Sequence, residues 1–234
     1  MSVPGRVAVA GARGFVGAAI VKALGPAAVP VTRETYEEAR RSGPFDVLIN
    51  AACSSRRFWA RHHPGEDRAE TVGKTAAFLR DWEWDRFVQI SSISARTQTD
   101  QPYGANRAEA EELCAGHLVV RLGPMYGETN DKGVLIDMLN DRTVYTAGES
   151  RQSFAPVEWC GRWIADHLDA RGVWEVGART TVTLAQIRDA VGSRSAFEGP
   201  LDDQFPVVGT PEPDWPDAAD VITWLKARSG TGGA

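Results

Sequence analysis

Arg6-Val7-Ala8-Val9-Ala10-Gly11-Ala12-Arg13-Gly14-Phe15-Val16-Gly17 is the stretch on which the reading of the whole chain turns. Arg6 to Ala10 is a short apolar run, suited to a strand buried on both faces. Glycines at 11, 14 and 17 follow, and from Phe15 to Leu24 apolar residues recur with a helical period. Glycine spacing alone is a weak signal; directly after a buried strand and at the head of a helix it acquires a mechanism. Glycines let the backbone turn tightly and come close to a diphosphate, while the helix N-terminus offers free N–H groups and the positive end of its dipole. Gly11, Arg13, Gly14, Phe15, Val16 and Gly17 are therefore expected to cradle a dinucleotide. The bland alternative is an ordinary strand–helix turn.

Working outward, the same alternation repeats. Val29–Thr32 reads as a strand, Glu34–Arg41 as a polar helix stopped by Gly43-Pro44, and Phe45–Asn50 as another buried strand. A helix over about Gly65–Trp82 is followed by a strand over Arg86–Ser91, with Ser92 just past its end. Pro102 then opens a helix to about Ala115, and Leu118–Leu122 is again strand. Strands alternating with helices imply right-handed crossovers and a parallel sheet covered on both faces. The expected fold is α/β, a Rossmann-type doubly wound parallel sheet with a small C-terminal substrate lobe. Residues 1–123 would form the nucleotide-binding domain and 124–234 the lobe, partly interleaved with the sheet. The lobe is expected to hold helices at Gly133–Asn140, Val157–Asp169 and Leu184–Val191, and short strands near Val144–Thr146 and Val173–Val176. Ser229–Ala234, rich in glycine, is expected to fray.

The second strand ends in Thr32-Arg33, where an acidic residue would hold a ribose 2′-hydroxyl. Arg33 together with Arg13 suits a 2′-phosphate, which points to NADP(H) over NAD(H), with Glu34 one residue further. Tyr103 and Arg107 lie four apart on one helix and so share a face. A free tyrosine titrates near ~10, too high to exchange protons readily at neutral pH, and a neighbouring cation lowers that value. Reducing a carbonyl by hydride transfer develops alkoxide charge, which a positioned pair of hydroxyls can stabilise and protonate.

These pieces together resemble the extended short-chain dehydrogenase/reductase superfamily, in its epimerase/dehydratase branch. The matching stretches are Gly-Ala-Arg-Gly-Phe-Val-Gly (11–17), Asp-Val-Leu-Ile-Asn-Ala-Ala (46–52), Arg-Phe-Val-Gln-Ile-Ser-Ser (86–92), Tyr-Gly-Ala-Asn-Arg (103–107) and Val-Val-Arg-Leu-Gly-Pro-Met-Tyr-Gly-Glu (119–128). The short span before Asp46 and Tyr-Gly-Glu followed by Met138-Leu139 look especially like dTDP-4-dehydrorhamnose reductases; from Gly133 onward the similarity is faint. The resemblance implies Ser92 as the hydroxyl on the substrate oxygen, Tyr103 as general acid/base and Arg107 as the ribose anchor. It implies Ala51, Ala52 and Ser91 along the cofactor, and Gly123, Pro124 and Met125 beside the nicotinamide. Arg56, Arg57, Tyr126 and Arg151 would face a small-molecule substrate, possibly a nucleotide-sugar. The chain departs from the family at three places. Arg107 replaces lysine, Thr71 stands where asparagine is common, and Arg151 is one position off the epimerase arginine, with Gln152 nearer.

Length and composition set the outer bounds. A chain of 234 residues with 43% hydrophobic and 24% charged residues has the makings of a globular core. A net charge of −5 speaks against nucleic acid, and no run approaches the ~20 apolar residues of a membrane span. The N-terminus runs straight into a strand, so no signal peptide is expected, and three scattered cysteines suit a reducing cytoplasm. Neither the cysteines nor His62-His63 has metal-ligand spacing, so no metal is expected. The tyrosine-bearing helix suggests a homodimer by family analogy. Three functions stay open: a carbonyl reductase, an epimerase or dehydratase that keeps its cofactor, and a dinucleotide-binding sensor or scaffold.

Overall fold

Val7–Ala10 (β1) has every residue buried, and its two flanking strands explain why only small and branched side chains suit it. The computed structural model describes residues 5–209 and 211–230. In chain order, β1 is followed by α1 (Phe15–Leu24), β2 (Ala28–Val31), α2 (Tyr36–Arg41), β3 (Phe45–Asn50) and α3 (Arg57–His62). Next come α4 (Pro64–Arg68), a π-helical stretch (Ala69–Gly73), α5 (Lys74–Asp81), β4 (Trp84–Ser92), α6 (Ser94–Thr97), α7 (Pro102–Glu112) and β5 (Leu118–Leu122). Beyond these lie β6 (Met125–Tyr126), α8 (Val134–Leu139), β7 (Arg151–Gln152), β8 (Ala155–Pro156), α9 (Val157–Asp166) and β9 (Gly172–Val176). The chain closes with β10 (Val182–Thr183), α10 (Leu184–Val191) and α11 (Asp220–Gly230).

The main sheet has the order β2-β1-β3-β4-β5-β9, and the pairs from β2 to β5 are parallel. Strands covered on both faces read as continuous apolar runs, and Val47, Leu48 and Ile49 are fully buried in the middle of β3. One layer of the core is Phe45, Leu48 and Phe87 against Phe78 and Trp82. There the Trp82 indole N–H donates to the Tyr36 hydroxyl at 3.0 Å. The polar exception is deliberate in its pairing: Asn50 donates to Gln89 at 2.9 Å and to Thr75 at 3.1 Å, and its side-chain Oδ1 accepts from the Ala52 N–H. That last bond fixes the turn after β3.

The chain divides into two compact units, Met1–Leu122 with Glu158–Trp174, and Gly123–Val157 with Glu175–Ala234. The helix expected in the lobe at 157–169 thus returns to the first unit. A Cβ at Gly161 would lie 2.7 Å from the Ala19 backbone, so α9 crosses α1 at a distance only glycine permits. The expected lobe strand near Val173–Val176 is the sixth strand of the main sheet. Near Val144 there is an isolated bridge to Phe197 and no strand. The helix expected over Gly65–Trp82 is interrupted by the π-helical stretch.

The second unit packs α8, α10 and α11 around Leu135, Met138, Phe154, Leu184, Val221 and Leu225. Thr183 and Gln186 form a reciprocal capping box at the start of α10. Ser229 and Gly230, expected to fray, are the last residues of α11, and Arg228 beside them donates to the carbonyls of Glu128 and Asn130. Residues 231–234 lie outside the described residues. Among the described residues, no helix is long and apolar enough to cross a membrane.

Candidate functional site

A cavity of about 520 Å³ opens at the C-terminal ends of β1, β2 and β3, lined by the glycine turn, by Thr32-Arg33-Glu34, and by Ala51, Ala52 and Cys53. Its geometry follows from the glycines. Gly11 sits at φ +79°, and a Cβ on it would lie 2.4 Å from the Ala51 carbonyl oxygen. A Cβ on Gly17 would lie 2.1 Å from the Gly11 carbonyl oxygen. The turn closes through Gly14 N–H donating to Gly11 at 2.8 Å. The first turn of α1 has no side-chain cap and no acidic residue, which leaves its positive end open.

Around the rim the charges are mixed. Thr32 and Thr35 bond each other's backbone N–H groups, holding the loop after β2. Arg33 is exposed there, and Arg13 pairs with Glu34 at 3.1 Å. A hydrogen bond from Thr32, Glu34's own N–H and the Arg13 charge hold the Glu34 carboxyl below its ordinary pKa. Lys74, Ala77, Phe78 and Tyr36 also line the cavity. No local motif in the sequence marks them, since they lie on helices away from the glycine turn. Cys53 is half-buried at the cavity wall, whereas Cys114 and Cys160 are buried.

Tyr103 lies in the first turn of α7, 8% exposed. Its neighbour Gly104 allows α7 to rest on α6, since a Cβ there would meet the Gln98 carbonyl oxygen at 2.1 Å. Arg107 and Arg57 both approach the Tyr103 ring, at 5.1 Å and 5.6 Å from its centroid. Arg107 is 5% exposed and its two terminal nitrogens donate to the Ile90 carbonyl at 3.0 Å and the Ser54 carbonyl at 2.7 Å. The fork expected to hold a ribose thus ties β4 and the loop after β3 to α7. Burial works against the Arg107 charge, and Tyr103, Cys53 and Asp67 outweigh it, so its pKa is raised. Among the described residues, Asp67 Oδ1, Thr71 Oγ1 and Arg107 Nε are buried without a hydrogen-bond partner. Asp67 Oδ2 accepts from Asn106 at 2.8 Å, and Thr71 follows Asp67 by about one turn of helix.

Ser92 ends β4, half-buried, and its hydroxyl accepts from the Ser94 N–H at 3.2 Å. Ser91 points to the other face by strand alternation, and its hydroxyl donates to Glu111 at 2.5 Å, where Arg121 also binds. It does not line the cavity; only its backbone is left to a cofactor. Arg151 pairs with Asp203 through two nitrogens, at 3.0 Å and 2.5 Å, and lies over Phe205. Tyr126 is buried in the core of the second unit, its ring 5.3 Å from Trp224. Gly123 and Pro124 bond within that unit, to Val176 and Ala155, and Met125 pairs with Ala155 in β6–β8. Helix α3 was not foreseen. It carries Arg57 to Tyr103, while Arg56 lies 4.0 Å over Trp59.

A doubly wound sheet with a glycine-lined cavity at its C-terminal edge defines a Rossmann-type protein. Its fold is shared with solved nucleotide-sugar epimerases and a dTDP-4-dehydrorhamnose reductase. UDP-glucose 4-epimerase from Thermotoga maritima, solved with UDP-glucose, superposes with a TM-score of 0.75 at 14% identity, covering 96% of this chain and 97% of that one. RMD from Pseudomonas aeruginosa, complexed with NADPH, gives 0.75 at 14% identity, covering 97% and 99%. dTDP-4-dehydrorhamnose reductase from Bacillus anthracis, in complex with NADP, gives 0.72 at 15% identity, covering 96% and 99%. No protein-family model matches the chain, and no curated protein sequence does.

Proposed function

We propose that the chain is an NADP(H)-dependent oxidoreductase reducing a carbonyl on a nucleotide-sugar or related small molecule. One observation carries this: the cavity at the glycine turn, whose close approach to the Ala51 backbone a Cβ at Gly11 would prevent, facing an uncapped helix N-terminus. When bound there, the cofactor supplies a hydride. The backbone of residues 11–14 holds its diphosphate, and Arg33 with Arg13 receives the 2′-phosphate as Arg13 leaves Glu34. Ala51 and Ala52, which line the same cavity, lie along it.

Tyr103 gives its proton to the substrate oxygen as negative charge builds, and Ser92 donates the second hydrogen bond. Arg107 lies against the Tyr103 ring and steadies it, its fork fixed on two carbonyls. The neighbours solved with NADP and NADPH support the choice of cofactor. Thermal-shift titration tests it: NADPH is expected to stabilise the protein more than NADH. Stronger stabilisation by NADH overturns the role of Arg33, and none by either overturns the nucleotide reading. Tyr103→Phe is expected to leave NADPH affinity within about twofold and to lower turnover by roughly a hundredfold or more. Retained turnover removes Tyr103 from the chemistry.

Epimerases among the structural neighbours favour a second reading, in which the cofactor stays bound and is recycled. Nucleotide copurifying with the protein, and turnover without added reductant, select that reading.

A further inference from the structure

Tyr103, Asn106 and Arg107 stand three and four positions apart on α7, so they share one face, and all three are buried. Helix α4 and the π-helical stretch after it both pack on α7. Asn106 fastens α4 there: its amide donates to Asp67 Oδ2 at 2.8 Å and to the Pro64 carbonyl at 3.4 Å. Asp67 is fully buried. A carboxylate is almost never buried so completely without a compensating charge, because leaving water costs it far more than one hydrogen bond returns.

Arg107 poses the same problem with the opposite sign. Its two terminal nitrogens end on the carbonyls of Ile90 and Ser54, which are neutral groups and leave the charge uncompensated. Burial opposes that charge, while Tyr103, Cys53 and Asp67 favour it. Of these three kinds of group only a carboxylate is ordinarily ionised at neutral pH; phenols and thiols ordinarily are not. Asp67 Oδ1, Thr71 Oγ1 and Arg107 Nε, buried and without a partner, lie on the same three packed elements. Each of the two opposite charges thus keeps one polar atom that is committed to no other protein group. A π-helical turn within a helix is itself rare and concentrates at functional sites.

We infer that Asp67 is the buried counter-charge of Arg107 and a positioning residue for Tyr103: fixed by Asn106, it makes the cation half of a pair without net charge, so that Tyr103 keeps its proton and acts as a donor. This rests on the reading of Tyr103 as the group that meets the substrate oxygen. A phenol beside a lone buried cation loses its proton more readily, which suits taking a proton from an alcohol. Beside a neutral pair it retains the proton, which suits giving it to the oxygen of a carbonyl as hydride arrives at carbon. The pair therefore favours reduction over chemistry in which the tyrosine must work in both directions.

Other charges surround α7. Arg57 of α3 lies 5.6 Å from the Tyr103 ring centroid, and Cys53 comes from the loop after β3. Arg68 of α4 pairs with Glu109, Glu70 of the π-helical stretch pairs with Lys74, and α6 carries Arg96. All of them are kept in the variants below, so a difference between variants reports Asp67 and Arg107.

Carbon-13 NMR of protein labelled at tyrosine Cζ follows the four tyrosines through a pH titration, and Tyr103→Phe identifies the Tyr103 signal. Neither substrate nor cofactor is needed. Asp67→Asn keeps the shape and the acceptor for Asn106, and is expected to move the Tyr103 midpoint down by roughly one pH unit. Adding Arg107→Met to it is expected to bring the midpoint back to within about half a unit of the unaltered protein. A midpoint that is unchanged or raised in Asp67→Asn overturns the assignment, and so does a double variant whose midpoint stays as low as in Asp67→Asn. Where Asp67→Asn alone fails to fold, the double variant is expected to fold, since it leaves no charge buried alone; failure of both overturns the pair. Retained turnover in Tyr103→Phe defeats the proton-donor reading by itself, and the titration still decides whether Asp67 and Arg107 act together.

Discussion

Replacing Arg107 with methionine separates a structural tie from a ligand anchor. Methionine keeps the apolar stem as far as the ε position and loses the guanidinium with both terminal donors. Each hydrogen bond from a charged donor contributes roughly 1.5–3 kcal/mol, and Arg107 makes two, to Ile90 and Ser54. The Ile90 carbonyl keeps the Gln89 amide as a donor at 3.2 Å, so the Ser54 carbonyl is the group left short. Against this, the substitution removes a buried Nε–H that has no partner, which returns roughly 1–3 kcal/mol. The net expectation is a loss of about 2–4 kcal/mol, or roughly 5–15 °C in melting temperature for a chain of this length. Arg107→Lys, with one ammonium that can serve one carbonyl, should lose about half as much. Thermal and urea unfolding of the three proteins, each paired with an NADPH titration, measure this. A shift below about 1 °C in Arg107→Met, with NADPH affinity falling tenfold, would refute the tie and return the guanidinium to the ribose.

Gly17→Ala places a methyl 2.1 Å from the Gly11 carbonyl oxygen and should cost more than tenfold in NADPH affinity, about 1.4 kcal/mol. Gly65→Ala, where a Cβ meets nothing within 4 Å, is the control and should leave the calorimetric affinity unchanged. Burial pushes the Cys114 and Cys160 thiols up to about 12 from an ordinary 9.0. A pKa raised in the folded state stabilises it fully below the unfolded value, and that contribution is lost as pH climbs from about 9 towards 12. The unfolding free energy from urea titration should therefore fall between about pH 8 and about pH 10.5, by up to about 1.4 kcal/mol per pH unit for each thiol. Cys160→Ala should show the shallower fall, and equal slopes would contradict the burial argument.

Much of the first unit was legible because its signals are local. Phe45–Asn50, Leu118–Leu122 and Phe15–Leu24 match the sequence reading residue for residue, since an apolar run bounded by turns has few alternatives inside a covered sheet. The glycine turn was legible for the same reason, and Arg13, Arg33, Ala51 and Ala52 line the cavity beside it. Helix α3 was hidden by composition: its charged and histidine residues show little apolar period, and only its packing on α7 makes it a helix with a face. Val173–Val176 looked like a lobe strand because sequence distance from β5 says nothing about which sheet edge a strand joins.

The sequence by itself determined the strands β1 to β5, the helices α1, α2 and α7 between them, the glycine turn and the identity of the tyrosine worth testing. These depend on period and on backbone freedom, which each short segment carries within itself. Only the tertiary structure decided what the arginines do. A guanidinium commits to whichever acceptors surround it, and those acceptors come from elsewhere in the chain. Thus Arg107 meets the carbonyls of Ile90 and Ser54, Arg151 meets Asp203, and Arg57, from a helix nobody would draw from periodicity, comes to lie over Tyr103.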